Sequence, residues 1–128
     1  MKIISVILLL FFLSGCENFP VYEEFPTDKK TFECLELDIN DTKLLNEVKK
    51  EIEFAPKNNC KYKLQGYIHN SLKCTSLQAK TYGTDFDGYV YLEVRDNKNR
   101  VYRVQSDFKE DLPSAIHRVV TKINTIVK

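Results

Sequence analysis

The chain ends in an unbroken apolar stripe: Leu112, Ala115, Ile116, Val119, Val120, Ile123, Ile126 and Val127. Spaced at three and four residues, these side chains fall on one side of a helix. Asp111 is placed to cap its start, and Pro113 falls in the first turn, where its missing N–H costs nothing. The polar side carries few charges, so the stripe reads as a face packed on a core rather than laid on a membrane. A helix of this kind needs a second layer, and the preceding sequence supplies strands. Leu35, Leu37 and Ile39 alternate with Glu36 and Asp38. Tyr62, Leu64, Gly66 and Ile68 alternate with Lys61, Lys63, Gln65, Tyr67 and His69. A weaker alternation over Thr75 to Tyr82 puts Leu77 and Ala79 on one side. Asp87-Gly88 opens Tyr89 to Arg95 with Val90, Leu92 and Val94 inward, and the turn cluster Asp96-Asn97-Lys98-Asn99 returns the chain through Arg100 to Gln105. Leu44, Leu45, Val48 and Ile52 predict a further helix over Thr42 to Phe54, capped by Asn40 or Asp41 and stopped by Pro56. The order strand, helix, four strands, helix predicts an α+β two-layer sandwich over residues 32–128: a mostly antiparallel sheet with two helices on one face.

The opening residues follow a different logic. Met1-Lys2 precedes an apolar run from Ile3 to Leu13 broken only by Ser5. That run is too short for a membrane-spanning helix, which needs about 20 residues, and fits the apolar region of a secretory signal. It ends in Leu13-Ser14-Gly15-Cys16, which resembles the bacterial lipobox. The resemblance implies a signal peptide over residues 1–15, cleaved to leave Cys16 as an acylated N-terminus holding the protein to a membrane. It also implies that an Asp directly after the cysteine would favour the inner membrane; Glu17 stands there, which favours the outer membrane with the domain facing the periplasm. The whole sequence has 19 Lys and Arg against 18 Asp and Glu, and cleavage removes Lys2. A balanced charge argues against nucleic acid as partner and against electrostatic adhesion to anionic lipid, whereas acyl chains alone suffice for anchoring.

Residues 16–31 show neither helical nor strand periodicity. Pro20 and Pro26 push the residues before them towards extended conformations. The segment reads as a lipidated tether, reaching at most about 50 Å when extended. Its Phe19-Pro20 and Phe25-Pro26 units, with Val21 and Tyr22, suit either a docking strip for a partner or packing back on the domain; packing back or simple stiffening is the plainer expectation.

Beyond Cys16, the cysteines are Cys34, Cys60 and Cys74. In an oxidising compartment these are disulfide candidates. If the first helix crosses between parallel neighbouring strands, Cys34 and Cys60 start those strands at similar height and form the expected bridge; Cys60 with Cys74 is the alternative. The cysteines with His69 and His117 lack zinc-site spacing, so no metal and no cofactor is expected. Neither a phosphate-binding glycine loop nor a nucleophile elbow nor a zinc-protease motif occurs. Asp85, Phe86 and Asp87 lie in the loop Tyr82 to Gly88, where two carboxylates suggest a turn more readily than Ca²⁺ ligation or acid–base work. No catalytic residues are assigned, and the chain reads as a binding protein rather than an enzyme.

Alternation gathers Tyr67, His69, Tyr82, Tyr89, Tyr91, Glu93 and Arg95 on the sheet face away from the helices. Tyrosine is a good strand residue, and it is also favoured at interfaces for its large ring and polar tip. Tyr67, Tyr89, Tyr91 and Arg95 are therefore the partner-binding candidates. Tyr62-Lys63-Leu64-Gln65-Gly66-Tyr67-Ile68, followed by Val90-Tyr91-Leu92-Glu93-Val94-Arg95-Asp96-Asn97-Lys98-Asn99-Arg100-Val101-Tyr102, resembles small envelope-assembly lipoproteins. These include penicillin-binding-protein activators, curli-secretion lipoproteins and the amino-terminal domain of the translocation protein TolB. The resemblance implies a noncatalytic protein that binds another envelope protein in assembly or maintenance. Two alternatives compete with it. An inhibitor or immunity lipoprotein would block a cell-wall hydrolase or toxin with the Tyr82–Gly88 loop. A periplasmic carrier would hold lipid or a small ligand in an apolar cavity.

Overall fold

The structure, a computed structural model, describes residues 19–70 and 87–128. Cys16, Cys74, Asp85, Phe86 and the strand predicted over Thr75 to Tyr82 lie outside the described residues. The elements run β1 (Val21–Glu24), β2 (Glu36–Leu37), α1 (Thr42–Glu51), β3 (Tyr62–Asn70), β4 (Gly88–Asp96), β5 (Asn99–Phe108) and α2 (Leu112–Ile126). They build a five-stranded sheet in the order β1-β5-β4-β3-β2. Only β2 runs parallel to its neighbour, β3; the other pairs are antiparallel. The α+β sandwich expected from the periodicities is the architecture observed.

The helices begin where capping chemistry dictates. Asp41 accepts a hydrogen bond from the Leu44 N–H at 3.1 Å, and Asp111 accepts one from Ser114 at 3.1 Å. Helix α1 is shorter than its apolar pattern predicts, ending at Glu51 rather than Phe54. The reason is Asn124 on α2: its amide donates to the Glu51 carbonyl at 3.1 Å and accepts from the Glu53 N–H at 2.9 Å. That side chain takes over the groups a further turn would have used.

Both helices cover one face of the sheet. Leu64, Val90, Leu92, Val94, Tyr102 and Val104 point into the layer, where they meet Leu44, Val48, Ile116, Val119 and Ile123. Gly66 is required in that layer, because a Cβ there would stand 2.5 Å from Leu92 Cδ2 and 2.5 Å from the Tyr91 carbonyl oxygen. The β4–β5 hairpin turns at Asn97, whose φ of 55° lies in the left-handed region that asparagine tolerates. The Cys34–Cys60 disulfide is present and closes the crossover from β2 through α1 to β3. Its Cα–Cα distance of 6.1 Å lies within the ordinary range for such bridges.

One boundary differs from the sequence reading. Val21–Glu24, placed in the tether, is the sheet's edge strand, pairing with Arg103 to Ser106 of β5. Its alternation is hidden because Val21 and Glu23 share the inward side. Glu23 is accommodated there by the Tyr102 hydroxyl, which donates to its carboxylate at 2.7 Å. The following residues also pack back: the Phe25 ring lies 4.8 Å from that of Tyr102, and Lys30 Nζ stands 4.5 Å above Phe25. Phe32 is fully buried and bonds to both ends of the last α2 turn region, with its N–H donating to Ile126 and its carbonyl accepting from Lys128. No helix of the described residues is long and apolar enough to cross a membrane.

Candidate functional site: the open face of the sheet

The register arranges the uncovered face in rows. Tyr22, Gln105, Tyr91 and Tyr67 lie side by side across β1, β5, β4 and β3. The next row reads Glu24, Arg103, Glu93 and Gln65, alternating in charge before ending on an amide. On the other side of the tyrosine row, Asp107, Tyr89 and His69 are aligned. Strand periodicity therefore gathers Tyr67, Tyr89 and Tyr91 as expected.

They are not equivalent. Tyr91 is only 8% exposed although it faces outward, because its neighbours lie over it. The Tyr67 ring sits 5.1 Å from that of Tyr91 at 31°, and it meets Tyr89 edge-on at 6.1 Å. His69 stacks on Tyr89 with ring centres 4.8 Å apart. Tyr67 is left 47% exposed at the top of the cluster, and Tyr22, in the same row, is 56% exposed. These are the large apolar-bodied side chains that the described surface shows to solvent.

Hydrogen bonds fix the cluster from beneath. The Tyr91 hydroxyl donates to Glu93 Oε2 at 3.0 Å and accepts from Arg100 Nη1 at 3.2 Å. Arg95 donates to Glu93 Oε1 at 3.3 Å and to the Lys98 carbonyl at 2.7 Å, bracing the hairpin turn. The hydroxyls of Tyr67 and Tyr89 are 3.4 Å apart. That contact, together with burial, pushes the Tyr67 phenol up to about 12. Burial likewise raises Tyr91, opposed by Arg100 and helped by Glu93. Tyr67 and Tyr91 therefore present neutral rings at physiological pH.

Beside Tyr67 the surface dips into a depression of about 480 Å³ lined by Asp38, Asn40, Gln65, Tyr91 and Glu93. It opens where β2 leaves the sheet for α1, and Gln65 donates to Asp38 across it at 2.8 Å. A second depression, of about 370 Å³, lies between the end of α1 and α2 and contains His117, 3.3 Å from Glu51. Its lining contains none of the tyrosines of the sheet face. Among the described residues, no three His, Cys, Asp or Glu side chains are gathered closely enough to hold a metal ion. The arrangement suits recognition: a prefixed aromatic platform with polar groups at its margin.

Arg95 belongs to the face as predicted, though it supports Glu93 and the turn rather than standing free. Of the loop candidates only Asp87 is described, with its N–H donating to the Phe108 carbonyl at 2.7 Å. Sequence reasoning missed Arg100, and it considered Tyr22 only as part of a docking strip in the tether, not as part of this face. Tyr22 joins the face because its segment is a strand paired with β5. For Arg100 the β-bulge is responsible: the register shifts between Val94 and Arg95, so that Arg100 pairs with Arg95 and reaches Tyr91.

No protein-family model matches the chain, and no curated protein matches it. Among solved structures, the chain is similar to a PelC dodecamer from Paraburkholderia phytofirmans carrying a leucine-to-methionine substitution. The TM-score is 0.44 at 13% identity, over 87% of this chain and 99% of that one. A second PelC dodecamer from the same organism gives 0.41 at 14% identity with the same coverage.

Proposed function

We propose that this protein is a noncatalytic lipoprotein, held in the outer membrane by acylated Cys16, whose domain binds another envelope protein through the open sheet face. The observation that carries the binding reading is the tyrosine cluster. Tyr67 is raised and half exposed over Tyr89 and Tyr91, which hydrogen bonds and stacking hold in place. Such a surface loses little side-chain freedom on binding, so more of the contact energy remains as affinity. Aromatic side chains of this kind dominate binding energy at protein interfaces. The anchoring reading is supported by Leu13-Ser14-Gly15-Cys16 after its apolar run.

Two experiments test the two halves. Radiolabelled palmitate is expected to enter the wild-type chain and not Cys16→Ser; labelling that survives the substitution contradicts the anchor. Affinity purification of the full chain from detergent-solubilised membranes is expected to retain a partner that Tyr67→Ala/Tyr89→Ala loses. Each truncation is expected to weaken binding about tenfold, the effect of an interface residue worth roughly 1.4 kcal/mol. Equal recovery by both proteins contradicts the assignment of this face.

A further inference from the structure

Resting on the lipid anchor proposed for Cys16, we infer that one particular end of the sheet is held against the bilayer by a very short leash. The relevant membrane-proximal end comprises the start of β1, the end of β5 and the loop to α2. Residues 16–31 looked like a free spacer, but the chain is already fixed at Pro20. Ser106, fully buried, donates its hydroxyl to the Pro20 carbonyl at 3.1 Å. Arg118 from α2 donates to that same hydroxyl at 2.9 Å and to the Asp107 carbonyl at 2.7 Å. Val21 then enters the ladder opposite Ser106. Between Cys16 and Pro20 there are four Cα–Cα steps, which span at most about 14 Å. The spacer is thus a small fraction of the apparent tether.

Strand directions then orient the domain. The β1 end at Val21 is level with Ser106, near the C-terminal end of β5. Phe108 pairs with Gly88, and Gly88 with Asn70, so the same end of the sheet carries the start of β4 and the end of β3. The hairpin turn at Asn97 and Lys98 lies at the opposite end. Nine residue steps along β5 separate Asn99 from Phe108, about 30 Å at the usual strand rise. The occupant of the proximal end is therefore a lipid surface, reached through the leash and not through charge. Among the described residues, Asp87, Asp107, Glu110 and Asp111 stand there with Lys109 and Arg118, which is no basic patch for anionic headgroups. Held this way, the tyrosine face looks sideways along the membrane, towards partners embedded in or attached to the same bilayer.

The absence of tryptophan from the chain gives a clean probe. Single-tryptophan variants Lys109→Trp and Lys98→Trp of the full acylated chain are reconstituted into phosphatidylcholine vesicles containing a dansyl-headgroup lipid. Energy transfer to the lipid is expected to be several-fold stronger from position 109 than from position 98, and unchanged by high salt. Inserting ten Gly/Ser residues after Glu17 is expected to erase the difference. Equal transfer from both positions in the vesicle-bound protein overturns the orientation. Transfer from position 109 that collapses in salt overturns the leash in favour of adhesion. Failure of the acylated chain to float with vesicles, or flotation of Cys16→Ser, overturns the anchor reading instead, so the two failures are told apart.

Discussion

Tyr102 and Tyr67 show how one residue type serves two purposes on opposite sides of the same sheet. Tyr102 is fully buried in the helix-facing layer, its ring against Phe25 and its hydroxyl donating to Glu23. Burial, reinforced by the Glu23 carboxylate, raises its phenol far above the ordinary range. Tyr67 is raised less, to about 12, chiefly by its contact with Tyr89. A phenol whose folded pKa exceeds its unfolded value stabilises the fold fully below about pH 10, the unfolded value. That contribution is lost as pH rises further, because the unfolded chain gives up the proton first. The melting temperature is therefore expected to fall steadily above pH 10. Tyr102→Phe should flatten that fall, as measured by thermal unfolding across the alkaline range. At neutral pH the same substitution is expected to cost about 1–3 kcal/mol, because Glu23 loses a hydrogen bond from a partly buried position. Equal alkaline slopes in the two proteins would remove Tyr102 from the account.

At the level of elements, the sheet is held at both margins by features of different legibility. The β2–α1–β3 crossover is closed by Cys34–Cys60, 26 residues apart, and a chain-entropy estimate gives the bridge about 3.5 kcal/mol. The double substitution Cys34→Ser/Cys60→Ser is expected to lower urea-unfolding stability by that order, with a somewhat steeper slope because the unlinked unfolded chain is more expanded. Gly66→Ala, which forces a Cβ against Leu92 and the Tyr91 carbonyl, is expected to cost about 1–3 kcal/mol in the same assay. The bridge was readable because parallel neighbours joined by a helix bring their starts to one level. The helices and β3 to β5 were readable because apolar periodicity reports one buried face, and Asp41 and Asp111 mark helix starts. Strand β1 was not readable: Glu23 occupies an inward position and depends on Tyr102, 79 residues away in sequence, for its partner. The early end of α1 depends in the same way on Asn124, as Arg100's place on the open face depends on a bulge. In each case a long-range contact or a register shift, rather than local pattern, decides the outcome.

For the whole molecule, these contacts turn an apparent tether and domain into one unit that begins within a few residues of Cys16. Its two faces divide the work. The covered face supplies stability through α1 and α2, and the open face carries Tyr67, Tyr89 and Tyr91 on a hydrogen-bonded base. The rows on that face were legible from alternation, since successive side chains in a strand must point to opposite sides. What alternation left out was depth: it treats Tyr91 and Tyr67 alike, whereas packing buries the first and raises the second. The most direct test places a photo-crosslinking amino acid at Tyr67 in cells and, separately, at Thr121 on the exposed side of α2. Crosslinking from position 67 to a single envelope protein, absent from position 121, is the predicted result. Crosslinking from position 121 but not from 67 would contradict the assignment of the open sheet face as the binding surface.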